Sequence, residues 1–261
     1  METRTVAVRE GAFGTLVQEH GTGEPALYLH GPWDWNGSPL LEHLGKQHRV
    51  VAPRLPGFED SSGGEHLLDL NDLLYYYLDL LDELGLESLP VIGHSLGGMI
   101  AAELAAMQPR RFTKLVLLAP FGLWNAAHPL PDLFAFTPRE LAPALFHEPD
   151  APRAAAVLLP PEEAESRMAF QLARARAMAT SAKYLWPIPN RGLKSRLHRV
   201  RMPTLLVWGE HDGVIPPRTA RDFQASLPHA RLAEIRGAAH LPQIERPDEL
   251  SEVIADFLAN S

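Results

Sequence analysis

Short, almost unbroken apolar runs recur along this chain and alternate with longer stretches of mixed, helix-forming residues. Segments 26–29, 49–52, 90–93, 115–119 and 204–208 are of the first kind, and 231–235 alternates like a strand. Runs this short suit strands, and most are too uniformly apolar for one wet face, which is the condition of a parallel sheet covered on both sides. Segments 5–9 and 14–18 alternate through Gly11 and predict a hairpin, an antiparallel start to the sheet. Segment 67–84 has helical spacing, and 98–107 is helix-forming almost throughout. Segment 247–258 opens on Pro247 and puts Leu250, Val253, Ile254, Phe257 and Leu258 on one face. Together these elements predict an α/β fold, with a mostly parallel eight-stranded sheet and helices on both faces.

The alternation stops between Phe121 and about Pro189. This stretch is rich in Ala, Pro and Leu, with helical pieces at 138–146 and 162–178. It divides the chain into a core of 1–121 and 190–261 and an insertion of 122–189 after the sixth strand.

Gly93-His94-Ser95-Leu96-Gly97 stands where an apolar strand meets a helix. G-x-S-x-G in that context predicts a strained turn that exposes a serine hydroxyl at a helix N-terminus. Free N–H groups there stabilise negative charge. A serine hydroxyl needs a histidine to take its proton and a carboxylate to orient that histidine. Segment 204–208 opens into Gly209-Glu210-His211-Asp212, and 231–235 leads to Ala239-His240-Leu241-Pro242. Two carboxylates, Glu210 and Asp212, stand at the first strand end. His94 and His211 are expected to be neighbours of the chemistry rather than actors in it.

The order Ser95, Asp212, His240, each beyond a strand end, resembles the α/β-hydrolase fold, and the resemblance covers nearly the whole chain. It implies that Asp212, the fourth position of G-x-x-D, is the acid. His30-Gly31 resembles the family's oxyanion-loop pair, with His30 holding the loop. The resemblance also implies that Leu96 N–H is one oxyanion donor. The second donor usually follows the His-Gly pair, but that residue is Pro32, which has no N–H. Either Trp33 supplies the donor by a shifted loop path, or the hole has one backbone donor and a side chain helps; the residues expected there are Leu96, Trp33 and Gly31. The insertion 122–189 is implied to be a helical cap, hinged at 122–124 and 186–189. Residues expected at the substrate are Trp33, Trp35, Trp124, Phe136, Phe146, Trp186 and Leu241. Arg174 and Arg176 are expected on a solvated helix face, and Tyr75, Tyr76 and Tyr77 in packing.

Composition narrows the picture. At 261 residues the chain suits one enzyme-sized α/β domain. A net charge of −8 without a basic run gives nucleic-acid binding no support. The absence of cysteine removes disulfides and a thiol nucleophile. Neither a signal-peptide core nor a membrane-length apolar run is present, so the expectation is a cytoplasmic protein without stable membrane association.

The sequence therefore predicts a serine hydrolase of carboxylic esters, with no cofactor and no metal, acting on small to medium apolar substrates as a monomer or homodimer. A serine nucleophile disfavours the branches of the fold that use aspartate there. Two alternatives stand beside it. One is C–C bond hydrolysis of the meta-cleavage product type, against which stands Leu241 where those enzymes usually carry tryptophan. The other is a slow-turnover ligand receptor on the same fold.

Overall fold

The apolar segments assemble into one eight-stranded sheet of order β1-β2-β4-β3-β5-β6-β7-β8. Its strands are β1 (Glu2–Val8), β2 (Phe13–His20), β3 (Pro25–Leu29), β4 (Arg49–Pro53), β5 (Leu89–His94), β6 (Phe112–Leu118), β7 (Thr204–Gly209) and β8 (Ala230–Ile235). The coordinates are a computed structural model and describe residues 1–188, 190–227 and 229–260. β1 pairs with β2, and β2 with β4, in antiparallel register. Every other pairing is parallel. The first hairpin turns at Arg9, Glu10 and Gly11, all at positive φ.

Ten helices are present among the described residues: α1 (Pro39–Leu44), α2 (Leu70–Glu83), α3 (Leu96–Met107), α4 (Pro138–Leu145), α5 (Pro152–Leu158), α6 (Ala164–Leu185), α7 (Leu193–Arg196), α8 (Arg218–Ser226), α9 (Pro242–Glu245) and α10 (Pro247–Ala259). Adjacent strand residues go to opposite faces. Leu27, Leu29, Val91, Leu115, Leu117, Leu206 and Trp208 pack with α2, α3 and α8. Tyr28, Ile92, Val116, Leu118, Leu205 and Val207 pack with α1 and α10. Because both faces are covered, the period of two is hidden in the sequence as a continuous apolar run.

Some boundaries differ from the sequence expectation for local reasons. α2 starts at Leu70 because the Asp69 carboxylate accepts the N–H groups of Asn71 and Asp72 and caps it there. α6 starts at Ala164, where the Glu163 side chain does the same, and continues past Met178 to Leu185. No glycine or proline interrupts it before Pro187. Tyr76 and Tyr77 are buried, and Tyr75 is exposed.

Helices α4 to α6 lie between β6 and β7 in the chain and rest on loops at the carboxyl ends of the strands. Gly213 N–H donates to the Ala144 carbonyl at 3.1 Å, and Thr180 Oγ1 donates to the Gly57 carbonyl at 3.3 Å. Pro189, at the expected edge of the insertion, lies outside the described residues. None of the described helices is long and apolar enough to cross a membrane.

Candidate active site

Ser95 is the single residue between β5 and α3, with φ 56° and ψ −116°. A non-glycine residue there costs about 1–3 kcal/mol and persists only where the surroundings over-determine it. Here Ser95 N–H donates to the Leu118 carbonyl at 2.9 Å, and the Ser95 carbonyl accepts from Met99 and Phe121, each at 3.1 Å. A Cβ on Gly97 would stand 2.0 Å from the Leu29 carbonyl oxygen, so glycine lets α3 start against β3.

The two partners arrive on separate loops. Asp212 follows β7 in a tight turn, and its Oδ1 accepts Val214 N–H at 2.9 Å and Ile215 N–H at 2.8 Å. Its Oδ2 is 2.9 Å from His240 Nδ1. His240 follows β8, and its Nε2 is 3.0 Å from Ser95 Oγ. These two contacts fix one tautomer: Nδ1 donates to Asp212, leaving Nε2 to accept from the serine. Burial pushes His240 below the usual histidine range and outweighs the opposing Asp212 carboxylate. Glu210 is elsewhere, accepting Gly237 N–H at 3.3 Å beside His211. The structure thus brings together Ser95, His240 and Asp212. Ser95 and His240 are both 0% exposed, so no water-sized space reaches either side chain.

The loop after β3 lies directly on the serine. A Cβ on Gly31 would be 2.9 Å from Ser95 Cβ. His30 ties this loop to the next: its Nε2 accepts Leu55 N–H at 3.0 Å, and its Nδ1 faces the Gly31 carbonyl at 2.9 Å. Gly31 is a correction to the expected oxyanion hole, because its N–H already donates to Asp34 Oδ1 at 2.7 Å. The N–H groups of Leu96 and Trp33 donate to no protein group among the described residues.

Of the expected substrate residues, Trp33 is buried with its ring edge-on to His240 at 5.9 Å. It also lines a cleft of about 340 Å³ with Trp35, Phe170, Arg174 and Ile244. The indole nitrogens of Trp33 and Trp35 are buried without a partner among the described residues. Phe136 lines a second cavity, of about 540 Å³, between α4 and α5. Phe146 and Leu241 are wholly enclosed in packing, and Trp124 is half-buried. Trp186 is a further correction. The residue is 54% exposed and its indole N–H donates to Asp132 at 3.3 Å, so it faces solvent rather than an apolar pocket. Arg174 also departs from expectation: it folds inward over Phe170, donates to the Val157 carbonyl at 2.6 Å and borders both cavities.

Sequence reasoning missed the roles of the buried groups behind the serine: Asp34, Gln243 and Glu245, and the contacts of His94. All four are less than 3% exposed. The one usable signal was polarity itself, in loops that everything else marked as interior.

The chain matches the alpha/beta hydrolase fold family model over residues 14–247. It is 30% identical to 2-hydroxy-6-oxononadienedioate/2-hydroxy-6-oxononatrienedioate hydrolase 2 of Pseudomonas putida, covering 98% of this chain and 96% of that protein. It is 25% identical to the pimeloyl-[acyl-carrier protein] methyl ester esterase of Photobacterium profundum, covering 92% and 97%. Among solved structures, a bacterial membrane phospholipase A superposes with a TM-score of 0.79 at 26% identity, covering 98% of this chain and 85% of that one.

Proposed function

This chain belongs to the alpha/beta hydrolase fold family, and from that premise we propose that it hydrolyses carboxylic esters through an acyl-enzyme formed on Ser95. The observation that carries this reading is the unbroken hydrogen-bonded chain Asp212–His240–Ser95, at 2.9 Å and 3.0 Å, ending on a strained serine at a helix N-terminus. His240 Nε2 takes the hydroxyl proton as Oγ attacks the ester carbonyl carbon. Asp212 holds the tautomer and stabilises the imidazolium that forms. The N–H groups of Leu96 and Trp33, which meet no acceptor among the described residues, receive the oxyanion. One such donor is worth about 3–4 kcal/mol of transition-state stabilisation. His240 then protonates the departing alkoxide, and water hydrolyses the acyl-enzyme by the same route in reverse.

Residues 122–189 act as the cap. Enclosure of Ser95 and His240 means that substrate reaches them only when the groups around them, Trp33 among them, move. The cleft beside Trp33, whose ring meets His240, supports a place for a small to medium acyl group once the site opens; Ser95 and His240 line neither this cleft nor the cavity at Phe136. The Pseudomonas relative supports a second reading, C–C hydrolysis of a ring-fission dienoic acid, with the same serine and base. A turnover screen of p-nitrophenyl esters of rising acyl length, run beside such a dienoic acid, separates the two. Ester turnover that exceeds turnover of the acid is expected; the opposite ranking assigns the protein to the C–C branch.

A further inference from the structure

His94 precedes the nucleophile, and its ring is wholly enclosed. Nδ1 lies 3.0 Å from Asp34 Oδ1, and Nε2 lies 2.9 Å from the backbone carbonyl oxygen of His240. Both neighbours are acceptors. Only an imidazolium carries a proton on each ring nitrogen to meet them. The Gln243 side-chain amide is 3.1 Å from Nδ1. The amide nitrogen Nε2 stands on that side, where it and a protonated Nδ1 would oppose two N–H groups. A charged ring therefore requires the amide turned, with Oε1 as a third acceptor, an orientation that gives Oε1 the donor it otherwise lacks among the described residues.

Asp34 is the matching anion. Its Oδ1 also accepts Gly31 N–H at 2.7 Å, and its Oδ2 accepts the Tyr28 hydroxyl at 2.5 Å. Burial opposes both charges, yet the His94 charge and these hydrogen bonds hold Asp34 well below the usual carboxylate range. Burial likewise opposes a charged His94, and the Asp34 carboxylate with the His240 carbonyl outweighs it, raising His94.

We propose that His94 is a permanently protonated positioning residue, paired with Asp34, that fixes the His240 backbone and holds a positive charge 4.9 Å from the His240 ring. The same pair anchors the 31–34 loop through Gly31, so one buried unit sets the base and the oxyanion loop together. The inference rests on His240 being the base of the proposed reaction. The groups facing His94 are Asp34 after β3, His240 after β8 and Gln243 on α9, with His30 and Asp212 acting at longer range. Those facing His240 are Asp212, Ser95, His94 and the Trp33 ring, with Asp34 at longer range. The His94 charge disfavours a second proton on His240, so it extends the pH range in which the base is neutral.

Two measurements test this without requiring that the natural substrate be known. In ¹⁵N-histidine NMR of the whole protein, His94 is expected to show both ring nitrogens protonated at pH 8. A neutral-tautomer pattern there overturns the proposal. The second is the pH dependence of fluorophosphonate labelling at Ser95, in variants whose folding is checked by thermal unfolding. His94→Gln keeps an amide donor near the His240 carbonyl but removes the charge. Its acid limb is expected at least about one pH unit higher than in the wild type, since buried charges about 5 Å apart are screened less than they would be in water. Asp34→Asn removes the anion that keeps His94 charged, so both charges vanish. It is expected to slow labelling while moving the limb less than His94→Gln does. An unmoved limb in folded His94→Gln contradicts the charge role. The His94 imidazolium signature in a protein that turns over no ester would support the pair and remove the esterase reading.

Discussion

A carboxylate oxygen of Glu245 accepts the backbone N–H of His147 at 2.8 Å, joining the segment after α4 to the chain just beyond His240. Its other oxygen accepts Ala239 N–H at 2.6 Å, one residue before His240. Glu245 is 2% exposed, so its carboxylate depends on these backbone donors in place of water. It ties the insertion to the loop that carries the base.

Glu245→Gln turns one of those acceptors into an NH₂ facing a backbone N–H. The expected loss is about 1–3 kcal/mol, which lowers Tm by several degrees in a chain of this size. Thermal unfolding of the variant measures it. An unchanged Tm would show that the donors find other partners.

Asp212 and Glu210 are two residues apart but differ in what they touch. Asp212→Asn is expected to cut kcat on the order of a thousandfold or more, because the amide favours the wrong imidazole tautomer. Glu210→Gln, which loses one long contact to Gly237, is expected to leave kcat within about twofold, since a surface polar contact carries little energy. Steady-state kinetics on one ester decides it, and reversed effects would make Glu210 the acid.

The reaction needs neutral His240, and burial moves that histidine below its ordinary 6.5, with the His94 charge adding to the fall. The acid limb of kcat/KM is therefore expected below pH 6.5. Stability has a related sign. Folding favours the neutral ring, so the His240 contribution is complete above about pH 6.5 and is lost as pH falls from there through the lower folded-state value. Rate measurements from pH 5 to 8 test the first statement, and a limb centred above pH 7 contradicts it.

The sheet was legible because its central strands are short apolar runs bounded by turn residues while β1, β2 and β8 alternate, and the elbow because G-x-S-x-G sits between strand and helix. Helices α1, α5, α7, α8 and α9 were not separately legible. The longest of them has 9 residues, too few turns for a periodicity to stand out. Asp212 and His240 could be placed from their strand ends. The engagement of Gly31 N–H is not legible in the sequence because the loop's path depends on Asp34, a carboxylate held by Tyr28 in β3 and by His94, sixty residues on at the end of β5. Trp186 was misplaced for a related reason. A large apolar side chain next to an insertion reads as pocket lining, and only the packing of α6 shows that it is left at the surface. Arg174 errs in the opposite direction, since its neighbours in sequence mark an exposed face while Val157 and Phe170 draw it inward.

The most direct measurement is covalent labelling of the whole protein with a small fluorophosphonate, followed by mass mapping of the adduct in wild type and Ser95→Ala. One adduct on Ser95 is expected, formed at a rate that saturates with probe concentration because the enclosed site must open first. Ser95→Ala should remain folded, carry no adduct and hydrolyse no ester. An adduct on another residue, or labelling that persists in Ser95→Ala, would contradict Ser95 as the nucleophile.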